Sequence, residues 1–193
     1  MAKIKQKFIL GIDTVSEISS IAIGEKDLIW RGNRQQSKEI LLKIEELCAE
    51  SKINLSELKG VAAVVGPGSY TGIRIGVSVA NTFGQVLNVP VREIDSLTAQ
   101  VLGSFDELLV WPKKIKRNGK KNKNKVLFSL LTAGYARVYG RKFVIDSKGE
   151  LIEGDFFHGE VSDFLSLKEN TQIVGEFNNE LRDWLVKNKG QIK

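Results

Sequence analysis

Hydrophobic and polar positions follow two different periods along this chain, and the switches between them mark its elements. Lys7-Phe8-Ile9-Leu10-Gly11-Ile12-Asp13 is a short apolar run ending on an acid, as a buried strand would be. Ile18 to Gly24 and Asp27 to Arg31 alternate at period two, and the Gly-Glu-Lys-Asp turn between them predicts a meander. From Glu39 to Glu50 the spacing becomes helical, with Ile40, Leu41, Ile44, Leu47 and Cys48 on one stripe. Gly60 to Val65 reads as a second buried strand and Ile73 to Leu87 as a helix without proline. Pro90 to Ile94 opens another strand, and Asp95 or Ser96 can cap a helix to about Leu102.

The second half repeats this order with shorter pieces. Lys125 to Leu131, Ala136 to Asp146 and Glu150 to Phe156 read as strands, Ser162 to Leu167 as a short helix, Gln172 to Val174 as a strand and Asn178 to Lys187 as a helix. An antiparallel meander followed by right-handed crossovers resembles the ribonuclease-H-like module. The predicted class is therefore α/β, with two tandem ribonuclease-H-like lobes in the manner of the actin, sugar-kinase and chaperone-ATPase superfamily. The lobes divide as residues 1–104 and 105–193.

Gly66-Pro67-Gly68-Ser69-Tyr70-Thr71-Gly72-Ile73-Arg74-Ile75-Gly76 sits at a strand-to-helix turn. Such a turn offers backbone amides at a helix N-terminus, where the dipole favours an anion. Ser69 or Thr71 can cap the helix. Gly72, Gly76, Ala80 and Gly84 then recur every fourth residue and share one face. Interior glycine costs about 1 kcal/mol relative to alanine, so this face predicts a close backbone approach, to the core or to a partner helix. The run is not a dinucleotide fingerprint, because Thr71 stands where a third glycine is needed. It is not a P-loop either, because no lysine lies between Lys59 and Lys113.

Composition changes the picture in three ways. Hydrophobic residues make up 42% of the 193, enough for a real core, and the apolar runs are too short to span a bilayer. The single cysteine, Cys48, fits a helical core stripe and a reducing cytoplasm, and no secretory leader is recognised. The net charge of +6 comes largely from 113–125, which holds eight basic residues and no acid. Lys113, Lys114, Lys116, Arg117, Lys120 and Lys121 could attract phosphates without reading sequence, but no aromatic residue lies among them for base stacking.

Other chemistry is sparse. One histidine, His158, placed in a polar turn beside Gly159, and one cysteine make a histidine or thiolate metal site untenable. Asp13 and Thr14 end the first strand where kinases of this architecture hold metal and phosphate. The following Val15-Ser16-Glu17 has no glycine and adds an acid, which weakens a phosphate clasp. Asp13 alternatively accepts amides from Ser16 or Ile18 in a local turn. Arg74, one turn into the glycine helix, could meet a phosphate, a partner carboxylate or a nearby acid.

The run from Gly66 to Gly76, with Ile12-Asp13-Thr14, the Arg34 to Glu50 region and Val89-Pro90-Val91 to Ser96-Leu97, resembles the tRNA threonylcarbamoyladenosine biosynthesis family TsaB (YeaZ) over roughly residues 7–104. The resemblance implies a non-catalytic relative of the transferase TsaD. It would pair with TsaD as a heterodimer through helices of the first lobe and be joined by a TsaE-type ATPase. It would meet tRNA only through that complex, with any ATP or ADP bound at the complex. It implies no resident cofactor or metal and leaves a homodimer open. The runner-up is a nucleotide-binding ATPase or kinase of the same superfamily, and a peptidase lacks both ligands and a triad. The chain departs from the family at Gln36, where many members have histidine. It departs again at Thr132-Ala133-Gly134-Tyr135-Ala136-Arg137-Val138-Tyr139, where charged positions are lost or reversed, and in its shorter length.

Overall fold

The computed structural model describes residues 8–32, 36–104, 125–133, 137–146, 151–160, 172–187 and 191–192. They form two compact units, Met1–Ser96 and Leu97–Lys193.

The first unit holds one five-stranded sheet. Strands β1 (Phe8–Asp13), β2 (Ile18–Ile23) and β3 (Lys26–Arg31) form an antiparallel meander. Helix α1 (Gln36–Ser51) and a 3-10 turn (Leu55–Glu57) lead to β4 (Leu58–Val64), which lies parallel to β1. Helix α2 (Tyr70–Leu87) then crosses to β5 (Val91–Ile94), parallel to β4. The sheet order is β3-β2-β1-β4-β5. Alternation sends Leu10, Ile12, Ile21 and Ile23 to one face, where Ile40, Ile44, Leu47 and Cys48 of α1 and Ala80 of α2 close the core. Cys48 is thus a packed core residue, as its stripe implied.

Helix α3 (Ser96–Gly103) opens the second unit. Its sheet contains β6 (Lys125–Thr132), β7 (Arg137–Ile145), β8 (Leu151–Glu160), β9 (Gln172–Glu176) and β10 (Gln191–Ile192), with helix α4 (Asn179–Lys187) between the last two. The order β10-β9-β6-β7-β8 is the first sheet's connectivity again: two antiparallel steps, then two parallel ones. Leu97 and Val101 of α3 pack on one face with Leu127, Leu131, Phe143 and Val174. Leu181 and Leu185 of α4 pack on the other face with Leu130, Val138 and Ile173.

Both sheets therefore carry the ribonuclease-H-like order, and the two-lobed α/β class read from the sequence is the fold. The units meet at Ser96/Leu97 rather than after residue 104, because Leu97 and Val101 belong to the second core. Helix α2 starts at Tyr70, one turn before the apolar stretch. Strand β8 runs through His158 to Glu160, and β10 and the 3-10 turn were not read from the sequence. The short helix expected at Ser162 to Leu167 lies outside the described residues.

Candidate functional site

The glycine run closes on the end of β1, and backbone geometry explains its composition. Gly66 and Gly68 have φ of +105° and +156°, where side chains are rarely accommodated. A Cβ on Gly68 would lie 2.6 Å from the Val15 carbonyl oxygen. The Ser69 amide donates to that same oxygen at 2.6 Å. Ser69 is the N-cap of α2, its hydroxyl accepting from the Gly72 amide at 3.2 Å. Thr71, the other expected cap, is the second residue of the helix and exposed. At the far side of the turn, Ser96 donates its amide to Gly66 and its hydroxyl to Pro67, at 2.9 and 2.6 Å.

The turn is thus tied at both ends by the chain's own groups. The expectation of an open amide cradle needs correction at Ser69 and Gly72, whose N–H groups are already bonded to Val15 and to the Ser69 hydroxyl.

The small-residue stripe faces the core. Gly72, Gly76, Ala80 and Gly84 are all buried. A Cβ on Gly72 would overlap the Thr14 carbonyl oxygen, and one on Gly76 would lie 2.6 Å from the Thr14 hydroxyl. A Cβ on Gly84 would overlap Val91. Of the two partners left open for this face, the structure gives it the strands of its own sheet. Thr14, fully buried, donates its hydroxyl to the Gly72 carbonyl at 2.7 Å. The close approach lets a strand-end hydroxyl reach the first turn of a helix 58 residues away in sequence.

Asp13 is a local turn former, though through a different amide from those expected. Its Oδ1 accepts from Val15 at 3.1 Å, while the Ile18 amide goes to Ser16. Burial pushes the Asp13 carboxyl above its ordinary range, and the Val15 amide partly opposes this.

The outward side of α2 is chemically different. Arg74 sits over the Tyr70 ring, 5.3 Å from its centroid, and is paired with no acid among the described residues. Tyr70, Thr71, Arg74 and Ser78 line a shallow depression shared with Ser37 at the start of α1. Large apolar side chains stand in solvent on both helices: Leu41 and Leu42 on α1, Tyr70 and Val86 on α2, the last two 72% and 75% exposed. The four-residue step from Tyr70 to Arg74 was the available signal for that pair.

In the second unit, Thr132 donates to the Glu176 carbonyl at 3.2 Å and accepts from the Asn178 amide at 3.3 Å. His158 corrects its assignment to a turn. It lies within β8, opposite Tyr139, and their rings stack at 4.6 Å. Among the described residues, no group of three or more His, Cys, Asp or Glu could hold a metal ion, and no helix is long and apolar enough to cross a membrane. Lys113, Lys114, Lys116, Arg117, Lys120 and Lys121 lie outside the described residues.

Comparison with known proteins adds names to this geometry. A family model described as TsaD, tRNA N6-adenosine threonylcarbamoyltransferase, matches residues 31–110. The tRNA threonylcarbamoyladenosine biosynthesis protein TsaB of Haemophilus influenzae is 35% identical over 102 residues, covering 51% of this chain and 43% of that protein. The protein of the same name from Escherichia coli is 24% identical over 156 residues, 79% of this chain and 59% of the other. The chain thus spans less than half the length of the first relative and under two thirds of the second. The solved structure of YeaZ from Pseudomonas aeruginosa shares the fold with a TM-score of 0.74 at 18% identity, covering 97% of this chain and 84% of its own. In sequence through the first lobe this chain is similar to TsaB proteins, and in fold through both lobes it is similar to YeaZ.

Proposed function

We propose that the protein serves tRNA threonylcarbamoyladenosine biosynthesis as a non-catalytic subunit, binding a TsaD-type transferase through the outward faces of α1 and α2. The observation that carries this reading is the division of α2 into two sides. Its glycines are consumed by β1 and β5, while its outer side, with α1, leaves Tyr70, Val86, Leu41 and Leu42 in solvent. Large apolar side chains left exposed on these two helices offer contact area that another protein can cover. The names of the relatives supply the pathway, and the match of residues 31–110 to the transferase's own family model supports a partner of related build.

On this reading a TsaE-type ATPase joins the pair in the cytoplasm, nucleotide enters at the complex, and tRNA is met by the assembly. A second copy of the chain could occupy the same helices when the transferase is absent. A kinase-like reading draws less support, because the Ser69 and Gly72 amides that would greet a phosphate already have partners.

Co-expression with the TsaD-type transferase of the same organism tests the proposal. Wild type should co-elute with it in a one-to-one complex. Leu41→Glu combined with Val86→Glu should abolish co-elution and leave the melting temperature of the protein unchanged. Failure of wild type to bind the folded transferase, or binding unaffected by the double variant, would refute the assignment.

A further inference from the structure

The edges of the two sheets are not alike. Edge β5 has four residues and β10 two, while β8 carries three acids, Glu153, Asp155 and Glu160, and no lysine or arginine. Edge β3 carries both signs, with Lys26, Asp27 and Arg31 in six residues. It pairs with β2 along its whole length without a bulge, and it contains no proline. Sheet edges are usually blunted by such devices. Among the described residues, no strand pairs with the far side of β3.

Alternation divides the side chains of β3 between the two faces of the sheet. Leu28 and Trp30 pack against the core. Asp27, Ile29 and Arg31 take the other face and are exposed, Ile29 at 67%. Ile18 lies on that same face of β2, diagonal to Ile29, and is 46% exposed.

We propose that β3 is a homotypic edge, on which a second copy of this chain pairs antiparallel about a two-fold axis through Ile29. Two five-stranded sheets would thereby join into one continuous sheet. The order of residues along the strand selects this register. With the axis at Ile29, Asp27 of each copy stands opposite Arg31 of the other, so the edge meets itself in two opposite-charge pairs. Ile29 then meets Ile29, and Leu28 meets Trp30 on the core face. Neighbouring registers lose this match. An axis at Leu28 sets Asp27 against Ile29, one between Leu28 and Ile29 sets Lys26 against Arg31, and one between Ile29 and Trp30 sets Arg31 against Leu28.

The chosen register also covers apolar surface. Ile18 and Ile29 of both copies form one strip across the joint, on a face where a single copy leaves them in water. Glu17, 3.6 Å from Arg31 in the same chain, does not block the pairing, because both side chains are largely exposed and a guanidinium has donors for two carboxylates. None of the residues assigned to the transferase lies on this edge. The pairing is therefore independent of the function proposed above, and it seats the second copy away from the outward faces of α1 and α2.

Sedimentation equilibrium of the full chain across the micromolar range tests the pairing. Wild type should reach a dimer and go no further, because a two-fold contact closes on itself. Asp27→Arg and Arg31→Asp, each alone, set like charges opposite one another and should weaken the dimer by about tenfold or more. Both changes in one chain restore opposite charges and should restore the dimer. Mixing the two single variants should also restore it, as a mixed pair, which a folding defect in either variant could not do. Leu41→Glu with Val86→Glu should leave the dimer untouched.

A chain that stays monomeric throughout, a dimer indifferent to the single reversals, or reversals rescued neither by the second change nor by mixing would each overturn the proposal. So would a dimer lost in the Leu41 and Val86 variant and kept in the reversals, which would put the second copy on α1 and α2. Growth into species larger than a dimer would overturn it as well, since β3 would then be pairing with an unlike edge such as β8.

Discussion

The two lobes use the same place in the same topology for the same kind of tie, but with different depth. In each, the residue after or at the end of the sheet's first strand is a threonine, and its hydroxyl donates to the stretch where the fourth strand gives way to the next helix. Thr14 donates to Gly72, and Thr132 donates to Glu176. In each, the residue before the helix caps it: Ser69 accepts from Gly72, and Asn178 accepts from Leu181. Thr14 is wholly buried beneath two glycines of α2, Gly72 and Gly76, whereas Thr132 is partly exposed and the glycine of its neighbouring strand, Gly175, closes on Leu130 instead. The difference shows what the glycine run is for. It draws an 18-residue helix down onto β1, while the nine-residue α4 packs on its sheet through the side chains of Leu181 and Leu185.

The largest effects should come from filling these approaches. A Cβ at Gly72 meets the Thr14 carbonyl, and one at Gly175, whose φ is +142°, meets the Leu130 carbonyl. Neither neighbour is a side-chain tip that can swing away, so Gly72→Ala and Gly175→Ala should each cost about 3 kcal/mol or more in urea denaturation. Gly103→Ala is the control. Nothing lies within 4 Å of its added methyl, and it should be neutral or gain up to about 1 kcal/mol. If Gly72→Ala were as mild as Gly103→Ala, the tight docking of α2 on β1 would be wrong.

The hydroxyl ties grade the comparison more finely. Thr14→Val removes a buried bond at 2.7 Å and should cost about 1–2 kcal/mol. Thr132→Val removes a longer, partly solvated pair, where water can replace the donor, and should cost about 0.5–1 kcal/mol. The sign of the difference is what matters. A Thr132 substitution costlier than the Thr14 one, measured under the same denaturant conditions, would mean the second clasp is the stronger.

Local pattern made the first lobe legible and the second less so. The meander of β1 to β3 follows from alternation that the structure keeps, with Ile21 and Ile23 inward and Ile18 and Ala22 outward. Four-residue spacing announced a face of small residues on α2. It could not say what that face met, because Thr14 comes near only through the parallel pairing of β1 with β4. His158 was misplaced for a related reason. A histidine before a glycine has the local chemistry of a turn, yet the ladder with β7 extends to Arg137 and Glu160 and holds it extended. Strand β10, two residues long, is too short to show any period. Ring stacking joins Tyr139 to residues 17 and 19 positions away, which only strand register reveals.

The last contrast is one of charge. Where β1 ends in Asp13 with Thr14 after it, β6 ends in Leu131-Thr132, so before the threonine the first lobe holds a carboxylate and the second a buried leucine. Burial raises the folded pKa of Asp13 above its unfolded value near 3.8. Between those two values the folded state holds the proton more tightly, so the stability Asp13 lends is complete below the unfolded pKa and fades as pH rises through the folded one. Asp13→Asn keeps an oxygen to accept from Val15 and removes the charge. It should therefore raise the melting temperature at neutral pH, by less than either threonine change lowers it, and the gain should vanish in acid near the unfolded pKa. Melting curves of both proteins across that range decide the matter. A variant whose advantage grew on acidification would mean that the carboxylate is stabilised in the fold by something stronger than the Val15 amide, and Asp13 would then have to be counted among the groups poised for a ligand.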